Sequence, residues 1–286
     1  MTNYTDKIHS ESIVKSYRYG NTLELTTSNG LHKQTIKVLP NKKYVLLETG
    51  EIFEMDTNNT VRSDNLKSIK QTMKKLRRLI SHNFEGKQNE LWITLTYREF
   101  TTDPKIVYRD FKIFIKKLRK KYNYLEYINV IEPQACGSWH CHLLLKSTKN
   151  KVLYIPNNII EASWSKGFTK TKRLKSSDKV GNYVVSYLSN LDINDSSLND
   201  EKKYVKGARL YLYPKGLRIY RCSRGIAKPI EMTATKQEIM QINLVEESTI
   251  ASFSKKTDHV LPTGEQISYI TEFFNQIGEK YEDSKS

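Results

Sequence analysis

The chain contains six histidines in 286 residues, and two of them flank a single cysteine in Trp139-His140-Cys141-His142-Leu143-Leu144-Leu145. In an extended strand, residues two apart project from the same face. Both imidazoles can then reach one divalent ion, while Cys141 points the other way as a small buried side chain. The preceding apolar run, Leu125–Glu132, ends in a carboxylate that a short antiparallel hairpin would lay beside the pair. Glu132, His140 and His142 would form an open three-ligand metal site, with positions left for water or a phosphate oxygen. Two alternatives stay open. His-x-His often marks a pair of ordinary sheet histidines, and Cys136 with His140 and His142 would make a zinc-type set, though without an evident fourth ligand.

A second group offers a nucleophile. In "GNYVVSYLSN", Tyr183 and Tyr187 stand four apart, which puts both hydroxyls on one face of a helix, and Lys179 lies one turn earlier. Lysine there would favour a phenolate or hold a phosphate. Tyrosines at this spacing are more often core residues, so the pair gains weight only from its company: a carboxylate, a His-x-His strand and a strongly basic chain. Lys166, Lys170, Lys172, Arg173 and Lys175 lead into this helix and would track a phosphate backbone. Tyr211, Tyr213 and Tyr220 alternate with Arg209, Arg218 and Arg221, either as base-stacking groups or as core aromatics of a hairpin.

The elements that must position these groups are legible as alternating patterns. Thr22 to Phe53 alternates apolar and polar residues, with Asn29-Gly30 as a hairpin turn signal. Leu66, Ile69, Met73, Leu76 and Ile80 recur at helical spacing with lysine and arginine opposite, and Ser63 or Asp64 would cap the start. That basic face is either solvated or laid on DNA. Leu91–Tyr97 has the β-branched and aromatic content of a buried strand. Asp103 and Pro104 begin a helix to about Lys121, turning Val107, Phe111, Phe114, Ile115 and Leu118 inward. Two strands follow, 125–132 and 139–146, then a short helix after Pro156 ending near Trp164, the basic strand "GFTKTKRLK", and a helix over Asp178–Asn190. "KGARLYLYPKGLRIYRCSRG" predicts a hairpin turning at Pro214-Lys215-Gly216, the polar stretch Asp192–Glu201 a loop, and 264–281 the clearest of one or two C-terminal helices.

Charge narrows the class of partner. The formal net charge is +16, which points to a polyanion, with nucleic acid ahead of a membrane surface. Residues 62–122 hold seventeen Lys and Arg against six Asp and Glu, whereas 231–286 hold five against ten. The expectation is a β-rich accessory segment over 1–60, a basic working domain over 61–230 and an acidic helical region over 231–286. Three cysteines make neither a disulfide framework nor a paired zinc motif. With no apolar leader and no run of ~18 apolar residues, a soluble cytoplasmic protein with no membrane partner is expected. No GxxxxGK[ST] stretch occurs, so a P-loop ATPase module is not expected.

Taken in order, these motifs resemble the HUH endonucleases, and among them the two-tyrosine rolling-circle replication initiators. "WITLTY" is similar to the family's first motif, "WHCHLLL" to the second with Cys141 at a position usually bulkier and aliphatic, and "YVVSY" to the third. Many relatives carry a lysine between or beside the tyrosines. Here the interval is Val184-Val185-Ser186, and Lys179 would take that role. The flanking text looks like replication-associated proteins related to the filamentous-phage gene II product, over about 90–229.

The resemblance implies an α+β fold, a central antiparallel sheet of about five strands with flanking helices, to which the N-terminal β piece and C-terminal helices are additions. It implies Mg²⁺ or Mn²⁺ held by Glu132, His140 and His142, with Tyr183 or Tyr187 as nucleophile. The implied activity is nicking and joining of single-stranded or hairpin origin DNA through a 5′-phosphotyrosine, with host helicase and polymerase as further partners. A transposase or mobilisation relaxase, and a non-cleaving DNA-binding regulator on the same scaffold, are the competing readings. Relaxases usually carry a third histidine and a tyrosine near the N-terminus, neither of which occurs here.

Overall fold

A computed structural model describes residues 7–27, 36–55, 66–134, 136–174, 212–260 and 266–277. The elements are β1 (Ile13–Tyr19), β2 (Thr22–Thr27), β3 (Ile36–Leu39), β4 (Lys43–Leu46), β5 (Ile52–Glu54), α1 (Leu66–Asn83), β6 (Glu90–Thr96), α2 (Pro104–Lys121) and β7 (Leu125–Pro133). They continue with β8 (Trp139–Ser147), α3 (Asn157–Trp164), β9 (Thr169–Arg173), β10 (Tyr220–Cys222), β11 (Ile230–Thr235), α4 (Lys236–Ile242), β12 (Phe253–Val260) and β13 (Gln266–Phe274). The fold is α+β, and the chain divides into two units, 58–228 and 1–57 with 229–286. No helix among the described residues is long and apolar enough to cross a membrane.

The 58–228 unit is built on an antiparallel five-stranded sheet in the order β10-β7-β8-β6-β9. Its inner strands are buried on both faces: Leu91, Trp92, Ile93 and Leu95 in β6, and Trp139 through Leu145 in β8. Continuous apolar runs such as "LLL" follow from that double coverage. α2 begins as its sequence requires, with Asp103 Oδ1 accepting from Lys105 N at 2.8 Å and Pro104 in the first turn. It buries Val107, Phe111, Phe114, Ile115 and Leu118. α1 buries Ile69, Met73, Leu76, Leu79 and Ile80 in the same core. Its end is tied down by Lys146 Nζ, which donates to Asn83 O and Oδ1 at 3.1 Å each. Arg78 on its basic side is buried, so that side is not simply a solvated face.

The other unit differs from the expectation. Among its described residues the acidic C-terminal region contains one short helix, α4, and three strands, and β13 stands where 264–281 predicted a helix. β13 pairs with β2 and β12, in a sheet of order β11-β1-β2-β13-β12. The physical reason lies in "ISYITEFF", whose β-branched and aromatic residues fit a pleated surface once partner strands exist. Those partners come from the other end of the chain, beyond the reach of a local pattern. Residues 1–57 and 229–286 group as one compact unit.

β1 and β2 join at Gly20-Asn21, with Gly20 at φ 50°, whereas β2 and the small β3-β4-β5 sheet are not paired. The Asn29-Gly30 signal lies outside the described residues, as do Ser63, Asp64 and Asp192–Glu201. So does the predicted helix Asp178–Asn190 with Lys179, Tyr183 and Tyr187, together with Lys175, Arg209 and Tyr211.

Candidate metal centre and nucleic-acid face

The β7–β8 hairpin sets the site. Glu132 pairs with His140 and Val130 with His142, so the carboxylate and both imidazoles share one face. The turn that fixes this register is closed by Gln134 N to Ser138 O at 2.7 Å, with Gly137 at φ 91°, a left-handed conformation that suits glycine. On the opposite face Cys141 is fully buried, and burial pushes its thiol up to about 12.

Glu132 Oε2, His140 Nε2 and His142 Nε2 form a triangle with all three sides 3.1 Å. All three residues are buried, and they are the convergent metal-ligand group among the described residues. With Glu132 ionised, hydrogens alone leave one contact of this triangle unsatisfied. If both nitrogens carry hydrogens and donate to Glu132, the nitrogens face each other donor to donor; if only one does, one contact with the carboxylate lacks a hydrogen. A single cation removes the conflict. Donor atoms sharing one divalent ion with bonds of about 2.0–2.2 Å lie roughly 3 Å apart. The residues thus fit a facial two-histidine, one-carboxylate set with open positions. Cys136 is not part of it: the residue is exposed on the turn, its Sγ 3.8 Å from Gln134 Oε1.

Electrostatics act in the same direction. Burial raises the carboxyl of Glu132, but hydrogen bonds from His140 and His142 outweigh it and hold the group below the usual range. Burial lowers His142, favouring the neutral imidazole that offers a lone pair. Each ring has a partner on its far nitrogen: Thr94 Oγ1 lies 3.4 Å from His142 Nδ1, and Gln134 Nε2 lies 3.3 Å from His140 Nδ1. Trp92 Nε1 donates in turn to Thr94 Oγ1 at 3.3 Å. Sequence reasoning singled out neither Thr94 nor Gln134 in this role. Thr94 is visible only through register, opposite His142 in β6, and Gln134 only through the turn.

The basic residues divide. Lys170 pairs with Thr94 and Lys172 with Trp92, so both share the histidine face. Both are exposed, and the Lys172 ammonium lies 4.7 Å from the Trp92 ring. Lys166 is exposed in the segment before β9. Arg173 projects to the other face and donates to the carbonyls of Gln88 and Leu153. Tyr213 is a core aromatic, donating to Ile131 O at 2.9 Å and packed edge-on to Trp139. Of the expected hairpin only the second arm is described, as β10 against β7, with Tyr220 half-buried.

Comparison with known proteins gives the same frame. Residues 90–192 match the family model of the replication-associated proteins of the ORF2 and phage gene II product type. This matched stretch is similar in sequence to the gene II-type proteins. The matched span contains β6 through β9, all three convergent ligands and, in sequence, both Tyr183 and Tyr187. A curated relative, the phasyl DNA replicon protein arp of Escherichia coli, is 29% identical over 153 residues, covering 46% of this chain and 51% of that protein. The chain thus spans about half the length of that relative. No solved structure matches. Strands β6 to β9, the β7–β8 hairpin and the donor triangle fall within the family match, whereas β10 and the unit formed by 1–57 and 229–286 fall outside it.

Proposed function

We propose that this protein nicks and rejoins single-stranded origin DNA through a tyrosine-linked intermediate, and so initiates rolling-circle replication of a plasmid or phage. The observation that carries the reading is the buried triangle of Glu132, His140 and His142, with 3.1 Å sides, inside a gene II-like segment. These three side chains would hold Mg²⁺ or Mn²⁺. When bound, such an ion would supply polarisation of a phosphate oxygen and neutralise developing charge.

The chain's own residues do the rest. Lys170 and Lys172, on the same face as the ligands, would grip the phosphates flanking the target, with Lys166 extending the track and Lys175 continuing it. The hydroxyl of Tyr183 or Tyr187 forms a new O–P bond as the bond from phosphorus to the 3′-oxygen breaks. The phenolic proton ends on that oxygen, leaving a 3′-OH for a polymerase. Lys179 would stabilise the phenolate. The phosphodiester energy is kept in the tyrosine link, so rejoining needs no nucleotide hydrolysis, consistent with a sequence lacking a P-loop. A second tyrosine permits another cut while the first still carries DNA.

The test is direct. The protein, Mn²⁺ or Mg²⁺ and end-labelled single-stranded origin DNA are mixed and resolved on a denaturing gel. A covalent adduct is expected, lost in Tyr183→Phe with Tyr187→Phe and strongly reduced in His140→Ala. Binding without any adduct would favour a non-cleaving regulator, and an undiminished adduct from the double phenylalanine variant would overturn the nucleophile assignment.

A further inference from the structure

Beyond the ligands, the sheet face carries an apolar group with no structural role in the core. The pairing register lines side chains up in rows across the strands. One row runs Val130, His142, Thr94, Lys170, and the next runs Glu132, His140, Thr96. The second row continues by one residue, because Thr96 N donates to Phe168 O at 2.9 Å and extends the β6–β9 ladder just past Thr169. Phe168 is two residues from Lys170, so the alternation of a strand puts its ring on the histidine face. Two strand spacings separate it from His140, roughly 10 Å. The ring is 67% exposed.

Its backbone is nevertheless held firmly. Arg98 N donates to Lys166 O at 2.8 Å, and Gly167 lies so close to β6 that a Cβ there would stand 2.3 Å from Thr96 O. A large aromatic ring is thus presented to solvent on a fixed backbone, two strands from the donor triangle and in line along the chain with three exposed lysines, Lys166, Lys170 and Lys172. The cationic border selects a polyanion, and the flat apolar ring selects a partner with π-faces. Single-stranded nucleic acid has both.

We propose that Phe168 is a base-stacking platform for the nucleotide next to the target phosphate, with Lys170 holding the adjoining phosphate. The proposal rests on the reading of this domain as a single-stranded DNA enzyme, and assigns the contact that sets the strand's path across the sheet.

The experiment uses the full chain in EDTA, with fluorescein-labelled dT₁₂ and an abasic strand of equal length, followed by fluorescence anisotropy across a salt series. Phe168→Leu should weaken dT₁₂ binding by about tenfold, the scale of one lost base stack, with the slope against salt unchanged. Phe168→Tyr should restore it. Lys170→Ala should instead reduce the salt slope by about one ion. On the abasic strand, wild type and Phe168→Leu should bind alike. Tyr154→Leu, at a ring 71% exposed beyond the other end of β9, should bind dT₁₂ like wild type.

Unchanged dT₁₂ affinity in Phe168→Leu, or an equal loss on the abasic strand, overturns the platform. So does unchanged affinity with a lowered Tm, which would make Phe168 a packing residue. A normal tyrosine adduct with base-independent binding would sink the platform alone. Phe168-dependent binding without any adduct would sink the nicking reading alone, and no binding of either strand by wild type would sink both.

Discussion

Glu132, His140 and His142 were legible because strand alternation is a local rule: two histidines one residue apart must share a face if the segment is a strand. What the local rule omits is the support behind the imidazoles. A histidine that ligates through Nε2 carries its hydrogen on Nδ1, and a fixed acceptor there holds the ring plane and the tautomer. Thr94 Oγ1 stands at that position for His142, 3.4 Å from its Nδ1, whereas Gln134 presents an amide nitrogen, a donor, 3.3 Å from His140 Nδ1. Thr94→Val keeps the shape and removes the acceptor, so Mn²⁺ affinity measured calorimetrically should fall by about tenfold or more. His140→Ala should bring it to background. An unchanged affinity in Thr94→Val would show that the backbone alone orients His142. The same face alternation makes a prediction about sulfur. Cys141 is buried with its thiol raised to about 12, while Cys136 and Cys222 are exposed. A thiol reagent applied to the native protein should therefore modify Cys136 and Cys222 and spare Cys141 until the chain is unfolded.

Elements were legible to the extent that their partners lie nearby in the chain. α2 announced itself through Asp103, Pro104 and an apolar stripe, and the β7–β8 hairpin through two apolar runs and a short turn. β13 did not, because "ISYITEFF" has its pairing partner in β2, some 240 residues earlier (Thr271 opposite Thr26). Apolar spacing alone could not separate a helix from a strand there. Gly167 is an element-scale feature of the same kind: its importance appears only when the segment before β9 meets the end of β6. A methyl group there would stand 2.3 Å from Thr96 O and 2.5 Å from Arg98 N, both backbone atoms. Neither can swing aside, so β9 must shift away from β6. Gly167→Ala should cost about 1–3 kcal/mol and lower Tm by several degrees. Because β9 carries Lys170 and Phe168, oligonucleotide affinity should fall with it. A variant as stable and as tightly binding as wild type would mean that the β6–β9 contact adapts freely.

At the scale of the molecule, charge and architecture divide along the same line. The 58–228 unit holds thirty-five Lys and Arg against fourteen Asp and Glu, a net of +21, while 1–57 with 229–286 holds twelve against seventeen, a net of −5. The whole basic surplus therefore belongs to the unit with the donor triangle. Phosphate contacts release counterions in proportion to the charges engaged. Residues 58–228 expressed alone should bind dT₁₂ with the same dependence on salt as the full chain, and should bind Mn²⁺ as tightly. The other unit makes the opposite demand. β1 and β2 lie between β11 and β13 in its sheet, so deleting 1–57 removes the middle of the sheet and leaves β13 without β2. Val14, Leu23 and Leu25 also leave a core shared with Ile239, Met240 and Phe274. The fragment 229–286 should accordingly be unfolded by circular dichroism when alone and gain β structure when mixed with 1–57. Folding of 229–286 on its own would refute that dependence. Loss of oligonucleotide binding by 58–228 would instead mean that the acidic unit takes part in holding DNA, against the direction of its charge.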